Sequence, residues 1–359
     1  MDQADAGVSG FADLIDLASE RLGGRAILAS DDFFAEKDNL LKPERAVFIP
    51  GKFTDRGKWM DGWESRRKRV AGHDWCIIAL GRPGSIAGVN IDTSHFNGNQ
   101  PEACTVEASE LPTGVESGEA VLTAPGGAWT TIIDRTPLTP SSDHMIAVKP
   151  EALGCRFTHA RLNIFPDGGV ARFRVHGHVL PDWRAIVAGG ETIDLALATN
   201  AGLVIACNDM HFGSRHNMIM PGRAANMGDG WETRRKRGLK GGEHDWAIVQ
   251  LGHRGLIEQI EVDTNHFKGN FPESCQVEVC DAISPRNPVP GPPGASLFDP
   301  DAQSWRVALP RTTLRASDQH IYRQELDRAV ASLPCSHARI KIFPDGGISR
   351  LRLYGRPVL

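Results

Sequence analysis

The sequence predicts an all-β protein of two tandem jelly-roll β-sandwich domains, with a short helix at the entrance of each. One observation behind this prediction is an internal repeat, in which five polar motifs occur in the same order in both halves of the chain. The other is that each half consists of short β-branched, apolar runs separated by turns rich in Gly, Pro and Asn, a pattern typical of sandwiches and jelly rolls. A length of 359 residues allows about two such domains, and we place them at 1–182 and 183–359.

Composition and charge narrow the class of protein further. The formal net charge of −4 gives no reason to expect a nucleic-acid partner. No apolar window of about 18 residues is present, and the acidic N-terminus lacks a signal-peptide core. The seven cysteines are scattered and never in C-x-x-C spacing. We therefore expect a cytoplasmic protein that binds neither nucleic acid nor membranes and has neither a disulfide framework nor a zinc ribbon.

The repeat is clearest in the decapeptide MDGWESRRKR at 60–69, which returns as GDGWETRRKR at 228–237. The motifs that follow it are HDW at 73–75 and 244–246, DTSHF and DTNHF at 92–96 and 263–267, Gly-Asn at 98–99 and 269–270, and the closing segments at 158–177 and 336–355. The gaps fall between motifs and never inside them, and the first copy has a ten-residue insertion before its decapeptide. The halves are therefore two copies of one domain whose loops have diverged.

The first predicted element of each copy is its entrance helix. SGFADLIDLASERLGG has Ser9 as a candidate N-cap and Gly23-Gly24 as a stop signal. ETIDLALATNAG occupies the matching place in the second copy. Both segments are short, so the helices are minor elements of a β protein.

Two hairpins are predicted to form most of each sandwich. WCIIALG and IAGVNIDTSHF are separated by the turn residues RPGS, which indicates an antiparallel pair. ARLNIF and VARFRVHG flank PDGG and alternate between apolar and polar residues. This alternation places Leu162, Ile164, Phe173 and Val175 inward and Arg161, Arg172 and Arg174 outward. The Pro/Gly-rich stretch at 281–302 reads as an exposed loop.

The first hairpin also predicts where a binding site lies. In a hairpin, the start of the first strand and the end of the second lie side by side. His73-Asp74-Trp75 would therefore meet Asp92-Thr93-Ser94-His95 at one end of the sheet, where the decapeptide leads in. Loops at one end of a rigid sandwich are a usual place for binding sites, so the decapeptide is predicted to form one wall of a site.

Each polar motif also has a purely structural interpretation. His73 and His244 could equally be structural, bound to a neighbouring carbonyl, or catalytic. A Gly-Asn loop directly follows the motif of His95 and His266, which favours a functional role for these two histidines. Arg66 and Arg67 could form surface ion pairs with Glu64 or Asp61, which contribute little to stability. Alternatively, a guanidinium group of this pair could bind a carboxylate through two parallel hydrogen bonds. Lys68 and Arg69 are expected to face water. The two DGW tryptophans are expected to be packing residues, with one face open to a ligand as an alternative, and PDGG is explained as turn chemistry.

Cofactor signatures are weak or missing in this sequence. His73-Asp74 and Asp92-x-x-His95 offer metal ligands, but no H-x-H or H-E-x-x-H pattern places them on one face. No G-x-S-x-G elbow, P-loop or dinucleotide fingerprint occurs. We expect no cofactor, with a divalent metal at the His/Asp cluster as a weak alternative.

Taken together, the tandem motifs resemble those of the allantoicase family, and the resemblance covers essentially the whole chain, because five motifs occur in order, twice. It implies two repeated jelly-roll domains of the galactose-binding or discoidin type, a homo-oligomer, and hydrolysis of allantoate to ureidoglycolate and urea in purine degradation. The segments ASDDFF at 29–34 and CNDMHF at 207–212 depart slightly from the family pattern, which leaves the roles of Asp31 and Asp209 open.

Site roles for such a substrate follow from its chemistry. Allantoate carries one carboxylate and two ureido groups, so a site needs a cationic clamp, partners for the ureido N–H groups, and an acid and a base. The candidate catalytic residues are His95, Glu64, His73, His266, Glu232 and His244. The candidate substrate-binding residues are Asp31, Arg66, Arg67, Asp92, Asn99, Asp209, Arg234, Arg235, Asp263 and Asn270. His95 is the expected acid that protonates the departing urea, and Glu64 or His73 the expected base.

Two other classes of function stay open at this point. A non-catalytic tandem sandwich that binds a carbohydrate or another ligand is the main alternative, although only two tyrosines are available for aromatic binding loops. An assembly protein is the other, and it predicts that changing Arg67 or Arg235 alters oligomer size and not turnover. Whether one or both copies form a site is also open.

Overall fold

The computed structural model describes residues 10–111, 129–237, 242–282 and 303–358. They form two compact units, of which one ends at Leu180 and the other begins at Pro181. The predicted all-β class with two tandem repeats is confirmed, because each unit contains an eight-stranded sheet with the same strand order. No helix among the described residues is long and apolar enough to cross a membrane. All seven cysteines, each within the described ranges, are free thiols.

The described residues of the first repeat form twelve strands and three 3-10 helices. Its strands are β1 (Ile15–Asp16), β2 (Arg25–Ala29), β3 (Phe53–Thr54), β4 (Gly57–Lys58), β5 (Trp63–Glu64), β6 (Asp74–Asp92), β7 (Ala103–Ser109), β8 (Thr130–Pro137), β9 (Asp143–Ala147), β10 (Phe157–Phe165), β11 (Gly169–Val170) and β12 (Arg172–Val179). Its 3-10 helices are Glu20–Leu22, Lys37–Leu41 and Pro150–Ala152.

The second repeat follows the same plan without equivalents of β3 and β4. An α-helix, Trp183–Gly189, precedes it. Its strands are β13 (Ile193–Asp194), β14 (Leu203–Cys207), β15 (Trp231–Glu232), β16 (Asp245–Asp263), β17 (Ser274–Cys280), β18 (Arg306–Thr313), β19 (Gln319–Tyr322), β20 (Cys335–Phe343), β21 (Gly347–Ile348) and β22 (Arg350–Pro357). Its other helices are Ala198–Asn200, Arg215–Ile219, Met227–Asp229 and Arg328–Ala331.

The entrance helix of each repeat is a single 3-10 turn. In the first repeat, Glu20–Leu22 is capped by the Ser19 side chain and ends at Gly23, whose φ of 101° is in the left-handed region. The residues before it form β1, because Ile15 buries its side chain and pairs with Gly177 of β12. Tertiary pairing has therefore replaced most of the helix expected there, and Ser9 lies outside the described residues.

The first predicted hairpin is wrong, because its two arms form one strand. β6 runs unbroken for 19 residues through the RPGS segment. Its first half lies between β2 and β10, and its second half lies between β12 and β9. A strand that bends in this way passes from one layer of a sandwich to the other. Gly81 permits the close approach of the backbone at Leu22, since a Cβ at Gly81 would lie 2.5 Å from the carbonyl oxygen of Leu22.

The second predicted hairpin is also wrong in its pairing. β10 and β12 do not pair with each other, because each lies on a different half of β6. The inward positions are nevertheless confirmed, since Leu162, Ile164, Phe173 and Val175 are fully buried. Arg172 was expected to face outward but is 2% exposed, where its guanidinium donates to Asp61 at 2.8 Å. The loop predicted at 281–302 lies outside the described residues apart from its first two positions.

Candidate functional site

Both ends of β6 meet at one end of the first repeat. Asp74, at its start, is opposite Ile164 of β10, and Asp92, at its end, is opposite Arg172 of β12. Only residues 166–171, which include the PDGG turn, join β10 to β12. The HDW motif and the DTSHF motif therefore lie within reach of one short turn, as expected, although a bent strand and not a hairpin brings them there.

The decapeptide is held against this turn. Its Trp63–Glu64 pairs with Gly169–Val170, and the backbone N–H of Lys68 donates to the Asp167 carboxylate at 2.7 Å. Trp63 is fully buried and its indole N–H donates to the carbonyl oxygen of Asp31 at 2.8 Å. Trp231 is equally buried. The tryptophans are packing residues, and the alternative of a face open to a ligand is wrong.

The central contact of the site joins Glu64 to Asn99. The amide of Asn99 donates to the Glu64 carboxylate at 2.8 Å, and Asn270 donates to Glu232 at 2.5 Å in the second repeat. Burial raises the pKa of Glu64, while the Asn99 hydrogen bond and then the charge of Lys58 act against that rise. A half-buried carboxylate of this kind is a candidate general base or acid.

The two adjacent arginines of the decapeptide differ in their surroundings. The Arg66 Nε donates to Asp31 at 2.6 Å, and its guanidinium lies over the Phe33 ring. Arg67 is exposed. In the second repeat, Arg234 donates to the Nδ1 of His211 at 2.9 Å. Arg66 and Arg234 are thus already engaged, which favours the next arginine in each repeat as the clamp for a carboxylate.

An open cleft in the second repeat shows what surrounds that next arginine. Its volume is about 490 Å³, and its lining includes Arg235, Lys236, Asn270, Glu273 and Asp345. The cleft lies between the decapeptide, the Gly-Asn loop and the PDGG turn. Its lining includes cations, an amide and carboxylates, which suits a small ligand that has both an anionic group and amide N–H groups.

Lys68 was expected to face water, and this is wrong. The Lys68 ammonium donates to the buried Asp74 carboxylate at 2.5 Å, and Lys236 does the same to Asp245 at 2.5 Å. The sequence carried a signal for these pairs, because the decapeptide and HDW motifs recur together. The PDGG aspartate was likewise explained as turn chemistry, yet Asp167 anchors the decapeptide backbone.

His95 and His266 share an unusual backbone. Each has φ of 70°, a left-handed conformation that is costly for a residue with a side chain. The Nε2 of His95 lies 3.2 Å from the carbonyl oxygen of Ala46, and that of His266 lies 2.8 Å from Ala224. A carbonyl accepts only, so Nε2 carries the proton and Nδ1 is the nitrogen left for other chemistry. Strain at the same motif position in both repeats is consistent with a functional constraint.

His73 and His244 make other contacts than His95 and His266. The His73 Nε2 is 3.3 Å from the Asn163 side-chain oxygen, and its ring packs on Phe165. His244 packs on Phe343, with its Nδ1 3.2 Å from the carbonyl oxygen of Gly242. The contacts made in the described part of the chain do not join His73 to Glu64, Asn99 or His95. Glu64 is thus the better placed of the two candidate bases.

The candidate aspartates mainly hold backbone in place. Asp92 is 7% exposed and accepts from the N–H of Ser94 at 2.7 Å. Asp263 is 0% exposed and accepts from the N–H of Asn265 and from Arg223. Their burial leaves little surface for a ligand.

Asp31 and Asp209 each cap a loop. They accept from the N–H of Phe33 at 2.9 Å and of His211 at 2.8 Å, respectively. Burial would raise the pKa of Asp31, but hydrogen bonds from Phe33 and Arg66 outweigh it and lower that pKa. Asp31 is therefore an ionised partner that orients Arg66.

No metal centre is assembled from the residues described. Within those ranges, no three His, Cys, Asp or Glu side chains are grouped so that they could hold an ion. The His/Asp motifs named as a weak metal alternative therefore have no such geometry in the described residues.

Comparisons with known proteins agree with one another. The family model for the allantoicase repeat matches residues 15–180 and 193–358. A probable allantoicase of Burkholderia mallei is 46% identical over 95% of this chain and 94% of its own length. One from Ralstonia nicotianae is 47% identical over 94% of each. The solved structure of Saccharomyces cerevisiae allantoicase is 34% identical, covers 99% of this chain and 98% of its own, and superposes with a TM-score of 0.78.

Proposed function

Because the chain belongs to the allantoicase family, we propose that the family's reaction occurs at the cluster around Glu64 and Asn99, which has a structural counterpart around Glu232 and Asn270 in the second repeat. That reaction is the hydrolysis of allantoate to ureidoglycolate and urea, a step of purine breakdown. The observation that carries the proposal is the Glu–Asn contact, which recurs in both repeats beside an exposed arginine.

Arg67 binds the substrate carboxylate in this scheme. Its guanidinium is exposed, whereas that of Arg66 is held by Asp31. A guanidinium fork forms two parallel hydrogen bonds to a carboxylate, which orients as well as attracts it. The corresponding Arg235 lines the open cleft of the second repeat.

Glu64 acts as the base and His95 as the acid. The Glu64 carboxylate takes a proton from a water molecule, whose oxygen forms a bond to the central carbon of allantoate. The bond from that carbon to one ureido nitrogen breaks, and its electron pair stays on the nitrogen. His95 gives that nitrogen the proton on its Nδ1, because its Nε2–H is donated to the carbonyl oxygen of Ala46, so the step requires His95 protonated on both ring nitrogens. Urea then leaves and ureidoglycolate remains. Asn99 holds Glu64 in place.

The test is urea release from allantoate by the purified chain and by two variants. Glu64→Gln keeps the size of the side chain but removes the base, and His95→Gln removes the acid. Each is expected to lower turnover by about 10²–10⁴ with an unchanged fold. Allantoin is the control substrate, and a parallel assay with EDTA tests for a required metal. Near-normal turnover by a variant would reject the role given to its residue.

The same assay separates the other two classes of function. A ligand-binding sandwich predicts binding of allantoate without urea release. An assembly protein predicts that Arg67→Ala changes the oligomer mass while turnover per chain is constant. A homo-oligomer and a cytoplasmic location are part of our proposal, and mass measurement and localisation in cells would test them.

A further inference from the structure

The first repeat contains a hairpin that the second repeat lacks. Between Ala46 and Asp61 the chain has 14 residues, 47–60, and the corresponding segment of the second repeat, 225–228, has four. The added residues form β3 and β4, which pair with each other only. This hairpin is the ten-residue insertion seen in the sequence, and it lies beside the candidate site.

One end of the hairpin is attached to His95. The Phe48 ring stacks on the imidazole of His95, with 5.9 Å between centroids and 29° between planes. The Lys58 ammonium lies over the Phe48 ring, 4.8 Å from the ring centroid. Phe48 is 41% exposed and Lys58 is exposed. Both side chains are therefore accessible from solvent next to the candidate acid.

The tip of the hairpin is attached to the loop that holds Glu64. Arg56 donates to the carbonyl oxygen of Phe33 at 3.3 Å, and a Cβ added at Gly57 would lie 3.7 Å from the Phe34 ring. The next two backbone N–H groups, of Phe34 and Ala35, donate to the carbonyl oxygen of Glu64. The hairpin thus extends from His95 to the strand that carries Glu64.

Lys58 brings a positive charge to this region. Its charge acts on Glu64 directly, since it lowers the pKa of that carboxyl against the effect of burial. Lys52, in the same hairpin, instead places its ammonium 3.7 Å from the centroid of the Trp59 ring. The two lysines therefore have different surroundings, and Lys58 is the one directed to the site.

The second repeat has a different arrangement at the same place. Its short segment positions the Met227 sulfur 3.3 Å from the Asn270 amide nitrogen. Its Arg223 is paired with the buried Asp263. The sequence has no lysine and no aromatic residue at 225–228. The second repeat can therefore offer the arginine, amide and carboxylate, but not the cation and ring that the hairpin adds.

We propose that this hairpin makes the first repeat the site of turnover. Lys58 is a substrate-binding residue that donates to a ureido carbonyl oxygen of the substrate beside Glu64. The Phe48 ring is the surface on which that planar ureido group packs. This inference rests on the proposed function and extends it. The second repeat then binds the anionic end of the substrate without converting it.

The experiment compares Lys58→Ala with Lys52→Ala, which removes the same charge from the same hairpin. We expect Lys58→Ala to raise KM for allantoate about tenfold, because it removes one hydrogen bond from a charged group. Lys58→Arg is expected to restore most of the lost affinity. Lys52→Ala is expected to match the unchanged protein. The oligomer mass of each variant is measured in parallel.

Glu64→Gln and Glu232→Gln identify the repeat that turns over. We expect Glu64→Gln to abolish urea release and Glu232→Gln to retain it. Equal partial losses of urea release in the two glutamate variants would overturn the assignment to the first repeat. An unchanged KM of Lys58→Ala would also overturn it, and so would a change in oligomer mass that alone explains the activity of Lys58→Ala. If neither glutamate matters, the proposed function of the site fails as well, so the two failures are distinguishable.

Discussion

Changing Asn99 to aspartate would place a second carboxylate against Glu64. The amide nitrogen of Asn99 is now 2.8 Å from a Glu64 carboxylate oxygen. Two carboxylates at that separation cannot both stay ionised, and they titrate as a coupled pair. If ionised Glu64 is the base, the acid limb of kcat/KM should move to higher pH, because the neighbouring charge makes Glu64 harder to ionise.

The size of this shift follows from the distance. Two unit charges about 4 Å apart interact by about 4 kcal/mol at an effective dielectric constant of about 20, which is about 3 pKa units at 1.36 kcal/mol each. Glu64 is only half-buried, so solvent screens part of this interaction. We therefore expect the acid limb to move by about one to two pH units.

The assay is initial urea release at low allantoate concentration, measured across the pH range in which the fold is intact. Asn97→Asp adds the same charge to the same loop at an exposed position and is the matched control. Asn270→Asp repeats the change against Glu232 in the second repeat. An acid limb that stays in place for Asn99→Asp, with the fold intact, would refute Glu64 as the base.

Three other changes have definite expected outcomes. Arg67→Lys should raise KM about tenfold with little change in kcat, because an ammonium cannot reproduce the fork, and an unchanged KM would remove Arg67 as the clamp. Arg172→Met should lower the free energy of unfolding by about 3–5 kcal/mol in denaturant titrations, because it leaves Asp61 buried without its 2.8 Å partner; a loss below about 1 kcal/mol would contradict this. Burial raises the pKa of Asp194 to about 6 from 3.8, so as the pH falls the folded state binds this proton before the unfolded state does. The free energy of unfolding should therefore decrease by up to about 3 kcal/mol as the pH rises from 4 to 7. Asp194→Asn should flatten that part of the stability profile, and a profile of the same slope would show that other groups cause it.

The repeat and the buried faces could be predicted from the sequence, because both are local properties of it. Alternation between apolar and polar residues is visible within one strand, and it correctly placed Leu162, Ile164, Phe173 and Val175 inside. Strand partners are not local. The residues RPGS have the composition of a turn, yet in β6 they lie at the bend between two layers, and only the strands on either side distinguish the two outcomes.

The residues of the candidate site could be named from the sequence, but their contacts could not. Glu64 and Asn99 were both candidates, since each belongs to a repeated motif. Their hydrogen bond depends on how two loops meet across the end of the sandwich. Lys68 and Arg172 were expected in solvent because lone cations usually are. Lys68 is instead paired with the buried Asp74 at the start of β6, and Arg172 with Asp61 from a distant part of the sequence. The insertion was visible as ten added residues, whereas its attachment to His95 through Phe48 was not.

The continuity of β6 has a consequence for how the first repeat opens. One 19-residue strand supplies partners to both layers, so neither layer can detach without breaking hydrogen bonds along the same backbone. The amides of Cys76 to Ile91 should therefore exchange with solvent deuterium as one cooperative unit, at the rate of global unfolding, in contrast to the small β3–β4 ribbon. A domain built in this way keeps the end that carries the candidate site in one geometry until the entire repeat unfolds.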